Sequence, residues 1–188
     1  MILALGELET LGKKASRGAG FSWGEAEEAG QALRILAASG LPAASLFTRY
    51  LQAVEAERAA PAICPIRLGC ALVDGTDLGT FACAFPALLM PFVARRAASQ
   101  GQAIALAGST FRGCAGPDLA ITIKAPAASC NALSLEPASS SPELTRIYRA
   151  HISTDDVEAL NGFAHRTYAP ETAERRAAGA GAGDDGNA

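Results

Sequence analysis

The sequence predicts an α+β fold. Residues 1–60 carry apolar side chains at helical spacing, cut by glycine and proline. From 61 to about 150 the segments shorten, and Gly, Pro and Asp punctuate them as they do between strands. After 151 a capped helical pattern returns and runs out into a Gly/Ala-rich tail. The predicted architecture is an N-terminal three-helix unit (1–60), a central β-sheet with one inserted helix (61–150), a closing helix (151–170) and a tail (171–188), partly flexible. Residues 1–170 read as a single domain, because a chain of 188 residues suits one domain.

Each element has its own signal. Leu5, Leu8, Leu11 and Ala15 recur at helical spacing and predict a helix over 3–15. Gly18 and Gly20 end it. In "SWGE", Ser22 caps a second helix and Glu25 completes a capping box, with Phe21 placed to staple onto Ala26. Trp23, Ala26, Gly30, Leu33 and Ala37 share one face of that helix. "SGLP" stops it, with Gly40 as the left-handed residue and Pro42 blocking continuation. A third helix covers 43–58, with Leu46, Phe47, Tyr50, Leu51 and Val54 inward.

Beyond it, "ICPIRLGCALV" and "TFACAF" read as buried strands joined by the turn "DGTDLG". "ALLMPFVARRAASQ" reads as a short helix that Pro91 kinks or delimits. "QAIALAG" and "LAITIKA" are strands separated by a loop, "STFRGCAGPD". "SLEPASSSPE" (134–143) is a loop by composition, and "LTRIYRAHI" alternates as a strand, with Arg146 and Arg149 outward or at an edge. "STDD" opens the last helix. Ser153 or Thr154 caps it, and the acids in its first turn suit the helix dipole. Val157, Leu160 and Ala164 form its stripe, and Pro170 ends it.

Composition narrows the function classes. The chain is 49% hydrophobic but only 6% aromatic, so the core is built of small side chains and its helices can approach closely. Net charge is −3, with six Lys/Arg against seven Asp/Glu in 1–60, seven against five in 61–150 and three against seven in 151–188. No block is basic enough to neutralise a nucleic-acid backbone. The start, "MILALGELE", lacks the basic-then-apolar order of a secretory leader. The longest apolar run, 81–94, is too short for a bilayer and holds two prolines. A cytoplasmic protein with no nucleic-acid or membrane partner is the expectation.

The five cysteines are spaced irregularly, with no CxxC. In a reducing compartment they read as small core residues. His151 and His165 lie near none of them in sequence, so no metal site is expected.

Two stretches resemble a known family. "SRGAGFSWGEAEEAGQALRILAASGL" is similar to the opening, and "ALNGFAHRTYAPETAERRAAGAGAG" to the ending, of the domain of unknown function 3726 family of proteobacterial proteins. "PALLMPFVA" matches it more loosely. The chain departs from the family pattern at Glu25, where an apolar residue is usual, and at Arg175, where a serine precedes the arginine. The resemblance implies no activity and supplies no catalytic residues.

Candidate sites therefore come from the residues themselves. The "RGAG" loop can offer backbone N–H groups and Arg17 to an anion, or it can simply separate two helices. It lacks the lysine of a P-loop, and Trp23 stands where a GxGxxG motif needs glycine. Glu28 lies beside the small-residue face of Gly24, Ala29 and Gly30. It reads either as a buried carboxylate or as part of a solvated face. Asn161 and His165 share a face, with Arg166, Thr167 and Tyr168 following. These residues suit acid–base work and anion binding, or a helix C-terminus that favours cations. Asp184 and Asp185 are too few for a cation site. Cys114 in "FRGCAGPD" is the best thiol by sequence, provided it is exposed near Arg112.

Placement joins these into one expectation: a small anionic metabolite held where the 17–23 loop meets the 165–168 segment. Arg17, Arg166, Trp23 and Tyr168 would bind it, with His165 and Glu28 as acid and base. An enzyme of this kind would be a hydrolase or lyase needing no organic cofactor. The competing expectation is an accessory subunit or assembly protein, or a homo-oligomer, that uses its small-residue faces and tail as contacts.

Overall fold

The computed structural model describes residues 1–57, 63–125 and 127–167. The tail and Tyr168 lie outside them. The chain runs β1 (Ile2–Ala4), α1 (Leu5–Gly18), α2 (Trp23–Ala38), α3 (Ala43–Glu55), α4 (Pro65–Val73), β2 (Phe81–Ala84), a 3₁₀ turn (Pro86–Leu88), α5 (Met90–Gln100), β3 (Ile104–Gly108), β4 (Arg112–Ala115), β5 (Ile121–Ala125), β6 (Ser129–Pro137), β7 (Arg149–His151) and α6 (Thr154–His165). The fold is α+β, as the sequence predicts. An antiparallel sheet of order β2-β6-β3-β4-β5 carries one helix, α5, between β2 and β3.

The N-terminal helices follow their local chemistry. Ser22 Oγ accepts from Glu25 N–H, and the Glu25 carboxylate accepts from Ser22 N–H at 2.8 Å. Gly20 and Gly40 take positive φ at the two helix ends. Phe47, Tyr50 and Leu51 are buried from α3, while Leu46 and Val54 are half-buried. Small residues set the spacing between helices. A methyl at Gly30 of α2 would lie 2.7 Å from the Glu9 carbonyl of α1, and one at Gly18 would overlap the Phe163 carbonyl of α6. Only glycine permits these backbone contacts.

Five expectations change. The segment 63–73 is a helix, not a strand. Cys64 caps it and Pro65 occupies its first turn, while Pro65, Ile66, Gly69 and Leu72 bury one helical face. Its Gly69 leaves room for the Phe92 ring of α5. A short apolar run does not distinguish strand from helix by periodicity. The "STFRGCAGPD" loop contains β4, reached by a tight turn in which Gly108 N–H donates to the Phe111 carbonyl at 2.9 Å. Ser134–Pro137 of the "SLEPASSSPE" loop complete β6.

The predicted first helix begins two residues later, at Leu5, because Ile2–Ala4 form β1 and pair with β7. The partner lies about 150 residues away, so no local signal betrays it. The same pairing confines the 144–152 strand to Arg149–His151. Ile147 instead donates its N–H to the Ala38 carbonyl at 2.9 Å and ties residues 144–148 to the end of α2.

Candidate functional site

The residues singled out by sequence sit near one another in part, and most are already engaged. The Arg17 guanidinium lies over the Trp23 ring at 4.5 Å and donates to the Phe21 carbonyl. Trp23 is 64% exposed. Glu28 forms an ion pair with Arg95 of α5. Arg166 stacks on Phe163 at 4.5 Å and pairs with Glu55 of α3 at 2.7 Å. His165 is exposed in the last turn of α6. The two ends do meet at Gly18 and Phe163, but as packed backbone without space between them.

A different cluster lies behind the opening loop. Tyr50 Oη donates to Cys64 Sγ at 3.0 Å, and the same sulfur accepts from Arg67 N–H at 3.5 Å as the cap of α4. Arg67 Nε donates to Glu25 Oε1 at 2.8 Å. Burial pushes the Tyr50 hydroxyl far above its ordinary range, with the neighbouring Cys64 thiol adding to the rise. A cavity of about 90 Å³ borders these groups and the Gly20–Phe21 loop. It is too small for most metabolites, and the cluster reads as a satisfied core network.

The largest described cavity, about 530 Å³, is a groove elsewhere. Leu5 and Glu9 of α1 and Gln31, Arg34, Ile35 and Ala38 of α2 form one side. Asp118 and Leu119, from the β4–β5 turn, and residues 144–148 form the other. Four large apolar side chains on its rim are exposed: Leu119, Leu144, Ile147 and Tyr148, the last by 75%. Arg34 leans on Glu9 at 3.3 Å. Arg146 makes no ion pair among the described residues.

Leu119 holds φ at +68°, an unfavourable region for a branched side chain. A tight turn enforces it: Leu119 N–H donates to the Gly116 carbonyl at 3.1 Å, and Ala120 N–H donates to Asp118 Oδ1 at 3.2 Å. Strain of this kind persists where the surroundings over-determine it, and it gathers at ligand clamps. No sequence motif marks this groove, because its walls come from four separate segments of the chain.

The outer face of the sheet carries a smaller depression of about 270 Å³, lined by Arg112, Cys114, Thr122, Lys124, Glu136 and the Ser139–Ser140 segment. Burial pushes the Cys114 thiol up despite nearby Lys124, so the thiol favoured by sequence is not activated. Cys130 is the opposite case. Burial raises its pKa, but hydrogen bonds from Thr110, Ala132 and Ser109 outweigh burial and bring it down to about 7. All five cysteines are free thiols. Among the described residues no group of three or more His, Cys, Asp or Glu is arranged to hold a metal ion. No helix among them is long and apolar enough to cross a membrane.

The fold and groove define an α+β protein with a surface cleft of about 530 Å³ between its helical layer and the 144–148 segment. The model of the family described as protein of unknown function (DUF3726) matches residues 3–73, so the resemblance carried by the opening stretch holds there. That segment spans β1 through α4 and one wall of the groove. The stretch around 159–183 lies beyond the match. No curated protein and no solved structure matches the chain.

Proposed function

We propose that this protein binds a small anionic metabolite with an apolar body in the groove between α1–α2 and residues 144–148. The supporting observation is that one cleft of about 530 Å³ combines exposed Leu119, Leu144, Ile147 and Tyr148 with the Arg146 guanidinium, which forms no ion pair among the described residues. That volume suits a small ligand, and pockets of this kind pair apolar walls with a few polar groups. Apolar atoms of the ligand would cover the rim residues, and Arg146 would take its carboxylate or phosphate, with Arg34 beside it. The reading needs neither His165 nor Glu28, whose carboxylate already serves Arg95. A cytoplasmic setting agrees with five unbridged thiols.

A thermal-shift panel of aliphatic and aromatic carboxylates and phosphates tests it. A ligand is expected that raises the wild-type melting temperature and is lost in Arg146→Ala, with binding weakened at least about tenfold for a charge-assisted contact. Retention in Arg146→Ala, with loss in Arg17→Ala or Arg166→Ala, would move the site to the 17–23 loop.

The same exposed rim favours a second reading, an accessory subunit whose partner covers it, since contiguous exposed apolar patches also mark protein contacts. In that case the panel gives no ligand, and Tyr148→Ala weakens a co-purifying subunit.

A further inference from the structure

We propose that Cys83 and Cys130 form a peroxide-reactive thiol pair that closes into a cross-strand disulfide. The two residues are direct partners in the antiparallel β2–β6 ladder. Such partners have Cα atoms about 4.5–5.5 Å apart, inside the span of about 4.4–6.8 Å that a disulfide bridges. Both are free thiols and both are buried, Cys130 to 3% exposure.

As direct cross-strand partners they share one face of the sheet, and a bulge decides which face of β6 that is. Phe81 pairs with Leu133 and Cys83 with Cys130, so two steps along β2 match three along β6. Without the extra residue, Cys130 and Leu133 would point to opposite faces. With it, both turn inward. The neighbouring strand makes room for the sulfur: a methyl at Gly108 would come within 2.6 Å of Cys130 Sγ.

The surroundings divide the two roles. Cys130 lies beneath the turn of Ser109 and Thr110, both exposed, so local opening of two residues brings solvent to its sulfur. In the resting state Thr110 Oγ donates to the Ser129 carbonyl at 3.3 Å. A thiolate is the stronger acceptor, and the hydroxyl can turn to it. Cys83 is fully buried, donates to the Ala84 carbonyl at 3.2 Å, and burial pushes its thiol up. Cys130 is therefore the attacking sulfur and Cys83 the resolving one.

The chemistry balances with a hydroperoxide as the oxidant. The Cys130 thiolate attacks the terminal peroxide oxygen and the O–O bond breaks. The alkoxide or hydroxide takes a proton and leaves as alcohol or water, and Cys130 becomes a sulfenic acid. Cys83 sulfur then attacks Cys130 sulfur as the S–O bond breaks. The Cys83 proton joins the departing hydroxide as water. Two thiols lose two electrons and the peroxide gains them.

Treatment of the folded full-length chain with hydrogen peroxide, then alkylation and peptide mapping, tests the pair. A linked Cys83–Cys130 peptide, reversible by dithiothreitol, is expected, with Cys130 oxidised at least about tenfold faster than Cys114. In Cys83→Ser the Cys130 sulfenic acid should persist and be trapped by dimedone. The wild-type map decides even if that variant fails to fold. A Cys64–Cys83 link, a bridge between two copies, or oxidation of Cys70 or Cys114 with Cys130 intact would overturn the proposal.

Discussion

The helical layer and the sheet use polar residues in different ways. In α1–α3 nearly every polar group that looked chemical has a structural task. Glu25 caps α2 and holds Arg67, Glu28 holds Arg95, and Arg17 covers Trp23. In the sheet, pairing between distant strands creates neighbours that no local pattern announces, such as Cys83 beside Cys130. The candidate groove falls where the layers meet, at the end of α2 and the β4–β5 turn. Local motifs in this protein mark folding signals, and candidate chemistry arises from contacts between segments.

The largest effect expected from the helical side comes from Gly18→Ala. Its methyl would collide with the backbone of α6 at Phe163, which cannot swing away as a side chain can. A loss of about 3 kcal/mol is expected, seen as a fall of roughly 6–12 °C in Tm. The matched control is Gly162→Ala, where nothing lies within 4 Å of the added methyl. It should raise stability by about 0.5–1 kcal/mol, because alanine suits a helix interior better than glycine. Equal effects at the two sites would break the view that glycine sets the α1–α6 spacing.

An intermediate effect is expected at Thr48. Its Oγ1 is buried in α3 with no hydrogen-bond partner among the described residues. Thr48→Val keeps the branched shape and removes the orphaned hydroxyl, so denaturant unfolding should show a gain of about 1 kcal/mol. A loss would mean that the hydroxyl has a partner when the protein is in solution.

The smallest effect concerns pH. Partial burial raises the Glu25 pKa, but hydrogen bonds from Ser22 and Arg67 outweigh burial and hold it below the ordinary 4.5. A depressed folded-state pKa gives stability that is present above the unfolded pKa and lost as pH falls through the folded one. Glu25→Gln should therefore cost about 0.5–1 kcal/mol near neutral pH. The gap to wild type should persist down to pH 4.5 and close below it. A gap independent of pH would leave only the neutral cap at work.

The sequence alone determined the fold class, the caps of α2 and α6, the glycine stops and the helix between β2 and β3. All of these rest on interactions within a few residues, where spacing and side-chain type carry the information. It also pointed to Arg17, Trp23 and Glu28, yet it could not show that Glu28 meets Arg95, which becomes its neighbour only through folding. Tertiary structure decided that 63–73 is a helix, because burial against α5 settles what an ambiguous apolar run becomes. Pairing with β7 turned residues 2–4 into a strand. A one-residue bulge in β6 turned Cys130 inward to meet Cys83. The groove likewise exists only once Ile147 is tied to Ala38 and Leu119 is held in its strained turn. These features depend on register and long-range contact, and a linear pattern has no coordinate for either.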